Sequence, residues 1–281
     1  MAKKARANLN NSLTMPLEWI IQWYILCLEA FFLVLYKDYI MHSIAESIKY
    51  VRTLHTAKGR SEEQCFIAEG LRTVLSFIKA GYAPIELYAT ESIINRLDTT
   101  IGYTLVSTQT MERMSASSTP SGILAIFAMP QNPDPQTLTS GLVMAEISDP
   151  GNMGTLIRSC AAFGFSSVVI INGCDPFNPK VIQATAGSLP YVSLFRWTWQ
   201  ELLEHKKDLQ LCALEPQKGK PAHALQLKNT LLIVGNEAHG IDPEWLKKCD
   251  SLLTLPINHE IESLNAAIAG SIALFLASEQ Q

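Results

Sequence analysis

Five polar side chains stand where apolar runs give way to turns. Asn152 and Arg158 follow the run 142–147, Glu237 follows 231–234, and Ser263 and Asn265 follow 252–255. Asp149-Pro150-Gly151-Asn152-Met153-Gly154 turns the chain, and Asn152 is placed to cap the helix that comes next. Two turns into that helix, Arg158 sits among Leu156, Ile157, Cys160, Ala161 and Ala162, so its guanidinium needs an acidic or phosphate partner. Gly235 allows backbone to approach a ligand closely. Asn236 and Glu237 follow it at the C-terminal edge of a strand, the usual place for ligand sites in open parallel sheets. Metal chemistry is not indicated: His239 and His259 lack a carboxylate and histidine set at ligand spacing and read as exposed loop residues. The six cysteines (27, 65, 160, 174, 212 and 249) are scattered with no C-x-x-C pair, which predicts reduced thiols and no zinc site.

The elements that position these residues alternate. Apolar runs at 142–147, 168–172, 210–214, 231–234 and 252–255, with helical patterns between most of them, predict a parallel sheet covered on both faces. The last helix, over 263–276, carries Ala266, Ala267, Ala269, Gly270 and Ala273, small residues suited to close packing. Upstream, a helix over 43–54 has Ile44, Ile48 and Val51 at helical spacing, and a second helix opens at Glu69-Gly70 and ends at Gly81. A strand at 85–89, a helix at 91–97, a strand at 103–106, a helix at 108–114 and a strand at 122–128 complete a small α/β domain. Residues 130–140, with Pro130, Pro133 and Pro135, read as the interdomain linker.

The three C-terminal segments, in order, are Asp149-Pro150-Gly151-Asn152-Met153-Gly154 with Arg158, Gly235-Asn236-Glu237-Ala238-His239-Gly240, and Leu255-Pro256 leading to Glu262-Ser263-Leu264-Asn265. Together they resemble the signature motifs of the SpoU (TrmH-type) branch of the SPOUT methyltransferases. The resemblance implies transfer of a methyl group from S-adenosylmethionine to a ribose 2′-hydroxyl of RNA. It also implies a SPOUT catalytic domain over 141–281 with a deep trefoil knot, and a homodimer whose sites are completed by the partner subunit. Phe66-Ile67-Ala68-Glu69-Gly70 and Thr119-Pro120-Ser121-Gly122-Ile123-Leu124-Ala125 look like the L30e-like RNA-substrate-binding domain that precedes many SpoU domains, here 41–129. By the same resemblance Leu214, Gly235, Leu255 and Leu264 hold S-adenosylmethionine, while Ser263 and Asn265 order the loop and substrate. The position of His259 is commonly glycine in the family. A family reading makes Arg158 catalytic, sometimes as the base. Because arginine stays protonated, binding a substrate phosphate and countering charge on the ribose oxygen suit it better. Glu237 is then the candidate proton acceptor. Displacement at a sulfonium needs alignment of the reactants more than a metal.

The chain has 281 residues, 48% hydrophobic and 17% charged, enough for two globular domains. A net charge of −4 argues against indiscriminate coating of nucleic acid, so RNA must be met by a local patch. Lys49, Arg52, Lys58 and Arg60 form the main basic cluster; a solvated helix face would account for it, but the domain context favours RNA, with Arg52, Lys58 and Arg60 on phosphates. The two-domain layout leans toward ribosomal RNA. The alternatives are a tRNA 2′-O-methyltransferase and a noncatalytic RNA-binding protein with this fold, whereas a dinucleotide-binding oxidoreductase lacks its G-x-G-x-x-G. An apolar run at 16–36, preceded by Lys3, Lys4 and Arg6, approaches membrane-spanning length. Glu29 inside it makes insertion marginal, and it fits a signal peptide poorly. We expect Met41 to be the natural start, residues 1–40 to be a leader outside the fold, and the enzyme to be cytoplasmic and free of membranes. A chain beginning at Met41 is expected to bind S-adenosylmethionine and methylate RNA as well as the full chain does. Calorimetry and methyl transfer to total RNA check this, and membrane fractionation with peptides from 16–36 in the native protein would refute it.

Overall fold

The computed structural model describes residues 44–97, 101–258, 260–261 and 263–281; residues 1–40, the expected leader, as well as His259 and Glu262, lie outside them. Contacts divide the chain into residues 1–50 and one compact unit, 51–281. A helix, α1, runs over 44–53. The elements that follow are α2 (Ala57–Glu63), β1 (Cys65–Glu69), α3 (Leu71–Lys79), β2 (Pro84–Ala89), α4 (Glu91–Ile94), β3 (Thr104–Leu105), α5 (Thr108–Met114) and β4 (Ile123–Ala128). Their four strands form a mixed sheet in the order β1-β4-β2-β3, antiparallel except for the β2-β3 pair. Strand β1 was not marked by alternation, because four of its five residues are buried and both its faces are covered. Helix α3 therefore starts two residues after Glu69, once Gly70 has turned the chain at φ +96°.

The second sheet is built from β5 (Gly141–Ala145), β6 (Ser167–Ile171), β7 (Ser193–Arg196), β8 (Gln210–Leu214), β9 (Thr230–Val234) and β10 (Ser251–Leu253). All its pairings are parallel, in the order β10-β8-β9-β5-β6-β7. The connecting helices are α6 (Pro150–Ala162), α7 (Pro179–Thr185), α8 (Trp199–His205), α9 (Pro243–Leu246) and α10 (Ala266–Ser278). Alternate strand residues serve opposite faces. Leu142, Met144, Val168 and Ile170 pack with α6, α7 and α10, while Val143, Ala145, Val169 and Ile171 pack with Leu202 of α8 and the partly buried Trp199 and Trp245. Burial on both sides explains why these strands read as unbroken apolar runs. The short edge strand β7, Ser-Leu-Phe-Arg, has no such run and could not be anticipated.

Two helix starts differ from the sequence reading. The cap of α6 is Asp149, not Asn152: Asp149 Oδ1 accepts from Asn152 N at 2.8 Å, and Pro150 supplies a first helical residue with no N–H to satisfy. Helix α10 begins at Ala266, leaving Ser263 and Leu264 in the preceding loop.

The small sheet and the large one share a core. Phe66 of β1 meets Phe177 with ring centroids 5.0 Å apart, and the buried residues of both sheets form one cluster. Residues 130–140 lie against this body rather than spacing it: Asp134 caps a short 3₁₀ turn at Pro135–Thr137, and Leu138 is buried. The same junction corrects the assignment of Arg60. Its side chain is 1% exposed and ion-paired with Asp175 at 2.6 Å, and Nη1 donates to the carbonyls of Leu54 and His55 at 2.9 Å. A guanidinium so enclosed cannot meet RNA. Replacing Arg60 with Ala leaves Asp175 Oδ2 and two carbonyls without their donor and is expected to cost about 3 kcal/mol of unfolding free energy. Urea denaturation monitored by circular dichroism checks it.

Candidate active site

Three of the expected residues are joined in one line of hydrogen bonds. Asn265 caps α10, its Oδ1 accepting from Ala267 N at 2.9 Å and Ile268 N at 3.2 Å. Its Nδ2 donates to Asn152 Oδ1 at 3.0 Å, and Asn152 Nδ2 donates to Glu237 Oε1 at 2.7 Å. Because the Asn265 oxygen is held by the helix terminus, only its amide nitrogen can face Asn152. That fixes which way both amides point. Glu237 is exposed and its Oε2 carries no hydrogen bond among the described residues.

Glu237 stands on a closed turn. Asn236 and Gly240 exchange both backbone hydrogen bonds, at 3.0 and 2.9 Å, and Gly240 takes φ +70°. The Asn236 side chain accepts from Ala238 N at 2.8 Å and donates to Glu146 O at 2.9 Å, tying the turn to the end of β5. The sequence places Asn236 beside Glu237 at this strand end without a role of its own; the structure gives it that of holding the turn. Gly235 also has a reason within the chain itself. A Cβ there would lie 2.5 Å from Gly240 C and 2.6 Å from its O, so the turn's own backbone needs the missing side chain.

The turn borders a cleft of about 420 Å³ between the C-terminal ends of β8, β9 and β10 and the start of α10. Leu214, Gly235, Leu255 and Leu264, all expected at the cofactor, line it, as do Glu237, Ser263 and Asn265. Its size is within the range of small-molecule sites. Leu214, Val234, Leu253 and Leu255 form an apolar wall and Glu215 adds a carboxylate, a mixture that fits an amphipathic nucleoside ligand. Ser263 is exposed and makes no hydrogen bond among the described residues.

Arg158 does not join the group. It is exposed on α6, six residues and about 9 Å along the helix from Asn152, with no hydrogen bond or ion pair among the described residues. The acidic partner its apolar neighbours suggested is not found among the described residues. Of the basic cluster, Arg52 is exposed, and the Lys58 side chain is 83% exposed with only an i,i+4 pair to Glu62 at 3.7 Å. Burial pushes the thiols of Cys160 and Cys249 up to about 12 and that of Cys174 up to about 11, so none offers a thiolate at neutral pH. Among the described residues no cluster of three or more His, Cys, Asp or Glu could hold a metal ion, and no helix is long and apolar enough to cross a membrane.

Residues 140–275 match the model of the SpoU rRNA methylase family, and residues 45–125 match the MRM3-like substrate binding domain. The chain is 30% identical to the 23S rRNA (guanosine(2553)-2′-O)-methyltransferase RlmP of Bacillus subtilis, over 82% of this chain and 95% of that one. It is 26% identical to the mitochondrial rRNA methyltransferase 3 of Mus musculus, over 79% of this chain and 69% of that one. Among solved structures, the AdoMet-bound rRNA methyltransferase from Sinorhizobium meliloti superposes with a TM-score of 0.74 at 25% identity, covering 83% of this chain and 94% of that one. A methyl at Gly235 must push the Gly240 backbone aside. Gly235→Ala is therefore expected to weaken S-adenosylmethionine binding at least about tenfold while the chain still melts cooperatively, as read by calorimetry and thermal denaturation.

Proposed function

The chain belongs to the SpoU rRNA methylase family, and from that premise we propose how its residues divide the work. It is an S-adenosylmethionine-dependent RNA 2′-O-ribose methyltransferase. The relatives' substrates direct it to ribosomal rather than transfer RNA. The observation that carries the site assignment is the hydrogen-bonded line Asn265–Asn152–Glu237 at the rim of the cleft.

Leu214, Leu255 and Leu264 and the backbone at Gly235 hold the cofactor, which supplies an electrophilic methyl group on a sulfonium. Asn152 holds Glu237 by Oε1, leaving Oε2 to take the proton of the ribose 2′-hydroxyl, directly or through one water. Ser263 and Asn265 order the loop beneath the substrate. The domains divide as 41–129 for RNA substrate, 130–140 as connector and 141–281 for catalysis. Arg52 and Lys58 meet RNA phosphates. The family's trefoil knot, cytoplasmic action and a dispensable segment 1–40 complete this reading.

Arg158 is given its role by a homodimer. Ile268, Ile272 and Phe275 form an exposed apolar stripe along α10. Ser159 is bonded to Ser271 at 2.7 Å and Phe163 meets Phe275 at 5.6 Å, so Arg158 borders that stripe. The small residues of α10 face inward instead: a Cβ on Gly270 would lie 2.4 Å from Leu156 Cδ2 and 2.9 Å from Val234 Cγ2. The dimer therefore forms through the isoleucines and Phe275, while Gly270 and Ala273 pack inside the subunit. In it, Arg158 serves the site of the other subunit, binding a substrate phosphate and countering charge on the ribose oxygen.

Arg158→Ala is expected to abolish most turnover, and Glu237→Gln to lower kcat about a hundredfold, both with S-adenosylmethionine affinity retained. Equal mixing of the two variants after subunit exchange should restore about a quarter of wild-type activity, since half the dimers are mixed and each has one intact site. No restoration in proven mixed dimers would refute a shared site. Ile272→Glu should yield an inactive monomer by light scattering; a fully active monomer would refute the need for a dimer.

A further inference from the structure

A larger cleft, about 720 Å³, takes no part in this chemistry. It runs along the open edge of β7, bounded opposite by α2 and by the segment after β4. Three side-chain amides line it. Gln64 spends its nitrogen on Ser61 O at 2.7 Å, whereas Gln131 and Asn132 make no side-chain hydrogen bond among the described residues. Tyr191 is 50% exposed at its wall. Two charged residues line the cleft, Asp175 and Arg196. Asp175 is neutralised by Arg60, while Arg196 is exposed without an ion pair among the described residues. The uncompensated charge of the cleft is thus positive.

An open aromatic ring, free amides offering both donors and acceptors, and a lone cation match the parts of an unpaired nucleotide: base face, base edge and phosphate. The topology adds a reason for a nucleotide here. Along the C-terminal edge of the parallel sheet, β9 leads to Glu237, β5 to Asn152 and β6 to Asp175, while β7 ends at Arg196, in four neighbouring positions. Three strand spacings, about 14 Å, separate the first from the last. Tyr191 precedes β7 and stands at the other end of that strand, so one RNA strand that crosses this edge and then follows β7 can occupy both places.

We propose that this cleft takes one unpaired base of the substrate RNA, stacked on Tyr191 and hydrogen-bonded by Gln131 and Asn132, with Arg196 on its phosphate. The captured base sets which ribose reaches Glu237. This inference rests on the reading of the chain as an RNA methyltransferase, but it concerns recognition, which is measured without turnover.

The test uses the full chain, a labelled mixed-sequence single-stranded oligoribonucleotide, and the same sugar-phosphate backbone without bases, with binding read by fluorescence anisotropy. The wild type should prefer the RNA with bases. Tyr191→Ala should bind it about tenfold more weakly and lose most of that preference, and Tyr191→Phe, which keeps the ring, should retain both. Arg196→Ala should weaken both ligands and reduce the slope of affinity against salt by about one. S-adenosylmethionine affinity should be unchanged in all three variants. Wild-type RNA affinity and base preference in Tyr191→Ala and Arg196→Ala would overturn the proposal. Should Tyr191→Ala fail to fold, Arg196→Ala and an Asn132→Ala change decide in its place: loss of RNA affinity in both supports the cleft, and retention overturns it. Methyl transfer to total RNA by the wild type is followed in parallel. Tyr191-dependent binding without any transfer would support the cleft and refute the catalytic reading, whereas transfer with no dependence on Tyr191 would do the reverse.

Discussion

The side chain of Asn265 has one oxygen, and the N-terminus of α10 claims it. The first N–H groups of a helix have no partner within the helix, so the cap is the cheapest way to satisfy two of them. That local demand sets everything downstream: the Asn265 nitrogen must face outward, Asn152 must turn its oxygen toward it, and its nitrogen is left for Glu237. Residues separated by more than a hundred positions thereby acquire a single hydrogen-bond polarity. A carboxylate held by one oxygen keeps the other for a reacting hydroxyl, and the aim of that oxygen is set by a helix cap some distance from it.

This arrangement depends on the sheet. Parallel strands buried on both faces send their connections out at the same edge, so the turns after β5, β8, β9 and β10 converge without a dedicated scaffold. Packing then sharpens the turns. Gly235 is needed because Gly240 folds back onto it, and Asn236 spends its whole side chain on holding that fold and on Glu146. The cleft is consequently lined by the backbone of the turns and by apolar side chains, with Glu215, Glu237, Ser263 and Asn265 adding polar groups.

The small sheet is joined to the large one by the same core and by the enclosed Arg60–Asp175 pair. A buried ion pair is poor evidence for stability, yet it is demanding of geometry. Here it sets α2 against the loop after β6 and so forms one wall of the large cleft along β7. An RNA bound by the small sheet would meet the catalytic edge at a fixed offset, which is what a positioning device requires.

The sequence by itself determined the family, the parallel sheet with covered faces and the identity of the polar residues at the turns. Each of these is a local matter, of apolar runs, turn residues and short motifs. It could not separate Arg60 from Arg52 and Lys58, since burial of a charge depends on Asp175, more than a hundred residues away. It took Asn152 for the cap of α6 when Asp149 is the cap, because both types can play that part and only the chain path chooses. It grouped Arg158 with Asn152 by motif, although six helical residues and exposure keep them apart within one subunit. Strands β1 and β7 left little trace of alternation, one with four of five residues buried and the other short and mixed. What tertiary structure alone decided was direction and neighbourhood: which way an amide points, which arginine is enclosed, which face of α10 is open. Those are properties of pairs distant in sequence, and no single stretch of the chain carries them.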